Sequence, residues 1–109
     1  MKIVYNNIIP FKGYKAVNLF GVLFVRKEAK MSQKDLTHEA IHTAQMRETL
    51  YVFFYLWYAV EWLVKVFRYW NFHTAYRHVS FEQEAYLMES VDGYDKNRAY
   101  YNWLSFVFN

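Results

Sequence analysis

The chain has no cysteine, one proline and three glycines among its 109 residues. Without cysteine there is no disulfide framework, no thiolate-held iron–sulfur cluster, no Cys-type zinc finger and no cysteine nucleophile. With so little proline and glycine, collagen-like, proline-rich and Gly/Ser-linker classes fall away. A turn-rich all-β sandwich would lack the residues that punctuate it. Charge of one sign is also scarce: 13 Lys and Arg stand against 10 Asp and Glu, a formal +3. The densest basic stretch, Arg26-Lys27-Glu28-Ala29-Lys30, contains an acid, so it is not the basic stripe that nucleic acid requires, and no nucleic-acid partner is expected. Long hydrophobic runs are missing too. Leu50–Val60 is eleven apolar residues ended by Glu61, whereas a spanning helix needs about twenty. Asn6, Asn7, Pro10 and Lys12 interrupt the start of the chain, and no signal peptide is read there. The expected location is cytoplasmic, with peripheral membrane contact as the open alternative.

Aromatic residues are what the chain has in excess: ten Phe, eleven Tyr and four Trp, 23% of the sequence. The length fits a single domain spanning residues 1–109. Domains of this size bury a modest share of their surface and often need a staple such as a metal. The aromatics cluster between Leu50 and Trp70 and again after Tyr94, which suggests scaffold more than site. Trp57, Tyr58, Trp62, Tyr69 and Trp70, with Lys65 and Arg68, also resemble an interfacial set.

The expected fold class is α+β and mostly helical, with a small N-terminal antiparallel sheet. Val17, Leu19, Leu23 and Val25 alternate across Gly21, and Pro10 to Gly13 reads as a turn, so Ile3–Ile9 and Tyr14–Arg26 are expected to pair. Gly21 marks a bulge or a second turn. Ser32-Gln33-Lys34-Asp35 reads as a capping box. It opens a helix from Gln33 to about Arg47, followed by a long aromatic helix from about Glu48 to Tyr69, continuous with the first or kinked against it. Asn71-Phe72-His73-Thr74 reads as a break, and a Glu-bearing helix is expected over Ser80–Val91, closed at Asp92-Gly93. The aromatic tail from Lys96 is expected to pack back on the core.

The first helix contains His38-Glu39-Ala40-Ile41-His42, an H-E-x-x-H. Residues four apart share a helix face, so the two imidazoles can grip one ion. Glu39 is placed to accept a proton from water activated by zinc. A catalytic zinc takes three protein ligands. Glu61 is one candidate for the third, with eighteen residues between it and His42. In a continuous helix it would lie about 28 Å away. Glu82 is the stronger candidate, because it follows the break and its helix can fold back beside the motif. Glu84 is the fallback: it lies about 200° around the axis from Glu82, so both cannot face one ion. Gln45 could orient a ligand or substrate group. His78 and Tyr86, four residues either side of Glu82, could donate to an oxyanion if all three share a face. A buried Glu61 should pair, with Tyr58 and Lys65 at helical distance.

These segments resemble the gluzincin-type zincins, HExxH zinc metallopeptidases. His38 to Gln45 is similar to the HExxHxxQ form of uncharacterised bacterial peptidase-like proteins. Phe81-Glu82-Gln83-Glu84-Ala85-Tyr86 resembles the Glu-x-x-Ala-Asp third-ligand motif of prenyl-protease-type membrane metallopeptidases, with Tyr86 in place of the Asp. The resemblance implies zinc on His38, His42 and Glu82, with Glu39 as general base and acid. It implies hydrolysis of a peptide or protein substrate, held by a sheet edge or by a larger complex that completes the cleft. The alternative function is a non-catalytic, metal-stapled interaction module, possible at a membrane surface or in an oligomer.

Overall fold

The computed structural model describes residues 2–108. It is α+β, with a three-stranded sheet followed by helices. The strands are β1 (Lys2–Asn6), β2 (Ala16–Leu19) and β3 (Val22–Arg26), in the spatial order β1-β3-β2. β2 and β3 form the expected antiparallel pair, with Val17 opposite Phe24 and Asn18 opposite Leu23. The turn between them uses positive φ at Phe20 (54°) and Gly21 (88°). The sheet is nevertheless mixed, because β1 pairs parallel to β3, with Ile3 beside Leu23. Asn6 is the local cause: its side-chain oxygen accepts from Ile8 N at 2.8 Å and Ile9 N at 2.6 Å. The chain thus turns away directly after β1, and β3 takes the place that a hairpin partner would fill. Leu23 and Val25 alternate inward and are fully buried.

Helix α1 (Gln33–Glu48) opens on the capping box, with Ser32 Oγ accepting from Asp35 N and Ser32 N donating to Asp35 Oδ2. Its end carries no glycine or proline, yet the axis of α2 (Val52–Tyr69) is turned by 108°. The backbone closes there as a Schellman motif: Tyr51 N donates to Met46 O at 2.7 Å and Leu50 N to Arg47 O at 3.4 Å, with Leu50 at φ 56°. Tyr51, at φ 61° and ψ −58°, then makes a positive-φ γ-turn in which Val52 N donates to Leu50 O. The two helices are therefore separate rather than continuous.

The segment read as a break instead supplies a short helix, α3 (Phe72–His78), capped by Asn71 accepting from Thr74 N. Val79 separates it from α4 (Ser80–Met88). A short α5 (Tyr94–Asn97) follows, and then a 3₁₀ turn over Asn102–Phe106. The core gathers Met46, Phe54, Val79, Phe81 and Trp103. Phe54 stacks on Phe81 at 4.4 Å, and Phe81 meets Trp103 at 4.6 Å. The aromatic tail thus packs back through Trp103. Among the described residues, no single helix is long and apolar enough to cross a membrane.

Candidate metal centre

Three buried acceptor atoms, contributed by α1 and α4, converge on one point. His38 Nε2 and His42 Nε2 are 3.1 Å apart, and Glu82 Oε1 lies 3.1 Å from the first and 3.0 Å from the second. Helical spacing aligns the two imidazoles. The antiparallel return of α4 beside α1 delivers Glu82, which the core holds through its neighbour Phe81.

The outer partners fix which ring nitrogens carry protons. Gln45 is fully buried, and its Nε2 donates to Phe81 O and to Glu84 Oε1, both at 3.0 Å. Both of those groups only accept, so the amide orientation is settled and Gln45 Oε1 accepts from His42 Nδ1 at 2.8 Å. Glu89 Oε2 lies 2.8 Å from His38 Nδ1 and accepts its proton. In the neutral rings both Nε2 atoms therefore present lone pairs, and a carboxylate oxygen joins them. Three such buried acceptors around one point could hold a cation. A tetrahedral ion with bonds of about 2.0–2.1 Å spaces its ligand atoms about 3.3–3.4 Å apart. The observed spacings fall within a few tenths of an ångström of that, and two imidazoles with a carboxylate suit a borderline-soft divalent metal.

A proton serves the same need when no metal is present. Burial works against a charged His42, but the Glu82 carboxylate beside it, aided by Glu39 and Gln45, holds its pKa up at about 9. Burial would raise Glu82 as well; His42 and His38 outweigh it and hold the carboxyl well below the usual range. Tyr58 OH donates to Glu82 Oε2 at 2.7 Å and fixes the second carboxylate oxygen.

Glu39 stands beside the cluster, and its carboxylate forms with His38 and His42 a group whose ligand atoms all lie within 4.8 Å, so these residues could hold a metal ion. Burial pushes the Glu39 carboxyl up. A cleft of about 400 Å³ opens on Glu39, His38, His42 and Glu82, bounded by Ala16–Asn18 of β2 and by Phe54 and Tyr58 of α2. A second hollow of about 220 Å³ continues past Glu39 and Tyr76 toward Tyr86 and Glu89. Asn18 Nδ2 donates to Glu39 O at 3.2 Å and to Thr43 Oγ1 at 2.9 Å, tying the edge strand to the motif helix.

The other sequence candidates lie as follows. Glu84 is fully buried on the far side of α4, where Arg98 donates to it from Nε and Nη2, both at 2.8 Å, and Tyr94 OH donates at 2.9 Å. It reaches His42 only through Gln45. Glu61 accepts from Ser80 N at 2.8 Å and Ser80 Oγ at 2.6 Å, and so caps the first turn of the helix that carries Glu82. Lys65 Nζ, 3.6 Å from Glu61, is the pairing expected of it, whereas Tyr58 turns to Glu82 instead. His78 does not share a face with Glu82, because Val79 interrupts the helix; its Nδ1 donates to Thr74 O at 2.8 Å and its ring stacks on Tyr69. Tyr86 packs edge-on against His38 at 4.6 Å, and its hydroxyl meets Tyr76 OH at 2.6 Å.

Sequence reasoning missed Glu89, Tyr76 and Asn18. Glu89 had a signal, since it follows Glu82 by seven residues, two turns along one face. Asn18 had a weaker one, as a lone amide in an apolar strand. Tyr76 had none. Comparison with known proteins adds no relative: no family model matches the chain, and no curated protein or solved structure does either.

Proposed function

We propose that the chain is a zinc-dependent hydrolase acting on peptide bonds, with His38, His42 and Glu82 as the zinc ligands. The observation that carries this reading is the convergence of His38 Nε2, His42 Nε2 and Glu82 Oε1 on a point that opens into a cleft, with Glu39 beside it. A structural zinc is closed by four protein ligands, whereas a catalytic one keeps a position open. Zinc bound there would supply Lewis acidity to water and to the scissile carbonyl.

The chain's own residues supply the rest. Glu39, with its carboxyl raised by burial, takes the proton from water and passes it to the leaving amine. Tyr76 borders both parts of the cleft, and its shared hydrogen bond with Tyr86 aims a hydroxyl at the developing oxyanion. Burial keeps that hydroxyl protonated, so it serves as a donor. The outer edge of β2 at Ala16, which lines the cleft ahead of the stretch that Tyr55 OH covers at Asn18 O and Phe20 N, is where an extended polypeptide would add.

The test is Glu39→Gln. Turnover of a fluorogenic peptide library should fall by at least about a hundredfold, the usual worth of a general base, while zinc content stays the same. Full activity in the variant would overturn the mechanism.

A further inference from the structure

We propose that the outward face of α2 docks on a lipid bilayer, lying along its surface with Arg68 at the headgroups. Phe53, Leu56, Val60, Leu63, Val64 and Phe67 are all exposed on that face. At about 100° per residue, the exposed positions between Val52 and Phe67 cover an arc of about 160°. A contiguous exposed apolar face of this kind, running along most of α2, marks an interaction site.

The polar groups of the helix decide which partner it fits. From Val52 to Lys65, every hydrogen-bonding side chain of α2 has an internal partner. Tyr55 OH donates to Asn18 O, Trp57 Nε1 to Glu61, Tyr58 to Glu82, Trp62 Nε1 to Phe72 O, and Lys65 Nζ to His78 O and Val107 O. The helix's acid, Glu61, and Lys65 are thus turned into the protein. Hydropathy along the sequence counts both against a membrane; in three dimensions both are buried and paired with each other. A protein partner of this size would expect about one hydrogen bond per 100–200 Å², and this face offers none before Arg68. Lipid asks for the opposite, namely every polar group satisfied from within.

The exposed positions Phe53, Leu56, Val60, Leu63 and Phe67 also have the three-four spacing of a coiled-coil seam. The arc, however, is wider than such a seam, and the flanking positions carry Val52, Trp57 and Val64 instead of the charges that choose a partner helix. Between α2 and the segment after its 3₁₀ turn runs a groove of about 260 Å³, lined by Trp57, Val60, Val64, Val107 and Phe108, with Arg68 and the Glu61–Lys65 pair, 3.6 Å apart, also on its walls. Arg68, exposed at the margin of the apolar face, is placed to meet an anionic headgroup.

This inference is independent of the zinc reading, because no residue of the metal cluster lies on the face. The test is co-sedimentation with vesicles of equal parts phosphatidylcholine and phosphatidylglycerol. The wild-type chain should partition into the pellet, and brominated acyl chains should quench its tryptophan fluorescence. Val60→Glu should weaken partitioning by at least tenfold with an unchanged circular dichroism spectrum, whereas Tyr5→Glu, on the exposed side of β1, should leave it intact. Absence of partitioning and quenching in the wild type would overturn the proposal. So would equal partitioning of wild type and Val60→Glu, or a vesicle-indifferent dimer that Val60→Glu dissociates. If Val60→Glu fails to fold, quenching of the wild type decides.

Discussion

Gln45 commits both amide protons to buried acceptors, Phe81 O and Glu84, and its oxygen to His42. Gln45→Leu would take one donor from each of those acceptors and release the imidazole to either tautomer. Zinc affinity should fall by about 10–100-fold, the usual cost of losing such an outer partner, as measured by competition with a chromophoric chelator. Gln45→Glu, which keeps an acceptor for His42 but faces Glu84 with a second carboxylate, should fall between the two. At this scale the motif was the legible part. H-E-x-x-H needs only helical spacing, and Glu82 needed only a helix that returns. The tautomer-fixing partners were not legible, because they depend on how α1 and α4 sit against each other. Glu89, one turn beyond Tyr86, supplies the carboxylate that holds His38 Nδ1.

The turn between α1 and α2 is built at residues that disfavour it. Leu50 is exposed and holds φ 56°, a conformation costing a residue with a Cβ about 1–2 kcal/mol. Leu50→Gly should therefore stabilise the chain by about 0.5–1 kcal/mol after the added freedom of the unfolded glycine is counted, read as a higher urea midpoint. This is also why the break escaped sequence reading: a Schellman turn is usually announced by glycine, and here only the packing of Tyr51 and Met46 on the core enforces it. Glu61 has a complementary place. Its carboxylate caps α4 and faces Lys65, both residues buried. Glu61→Ala should cost about 1–3 kcal/mol, because Ser80 N and Oγ lose their buried acceptor, and the same thermal melts should show zinc binding weakened through α4. A helix cap supplied from another helix leaves no local mark in a sequence.

Across the whole molecule the aromatic residues, 25 in all, serve in at least three places. Phe54, Phe81 and Trp103 fill a core that few residues must build. Tyr58, Tyr76 and Tyr86 wall the metal cluster, so aromatics belong to the site as well as the scaffold, beyond what their positions along the chain suggest. Others stand on the outer face of α2. Residue spacing showed the α+β class and the order of sheet and helices. It did not show the pairing direction of β1, which follows from a turn at Asn6. A small domain with a metal between α1 and α4 should depend on it for stability. At a free zinc concentration about 100 times its Kd, the gain is about 2.7 kcal/mol, on the order of 10 °C in Tm for a chain of this length. Chelation should remove that gain and re-addition should restore it.

The central claim is that His38, His42 and Glu82 hold the metal while Glu39 acts beside it. Elemental analysis of protein purified without added zinc tests this most directly, on wild type, His38→Ala, Glu82→Ala and Glu39→Gln in parallel. Wild type and Glu39→Gln should each carry one zinc per chain, and His38→Ala and Glu82→Ala should lose it. No metal in the wild type, or zinc kept by Glu82→Ala and lost by Glu39→Gln, would contradict it.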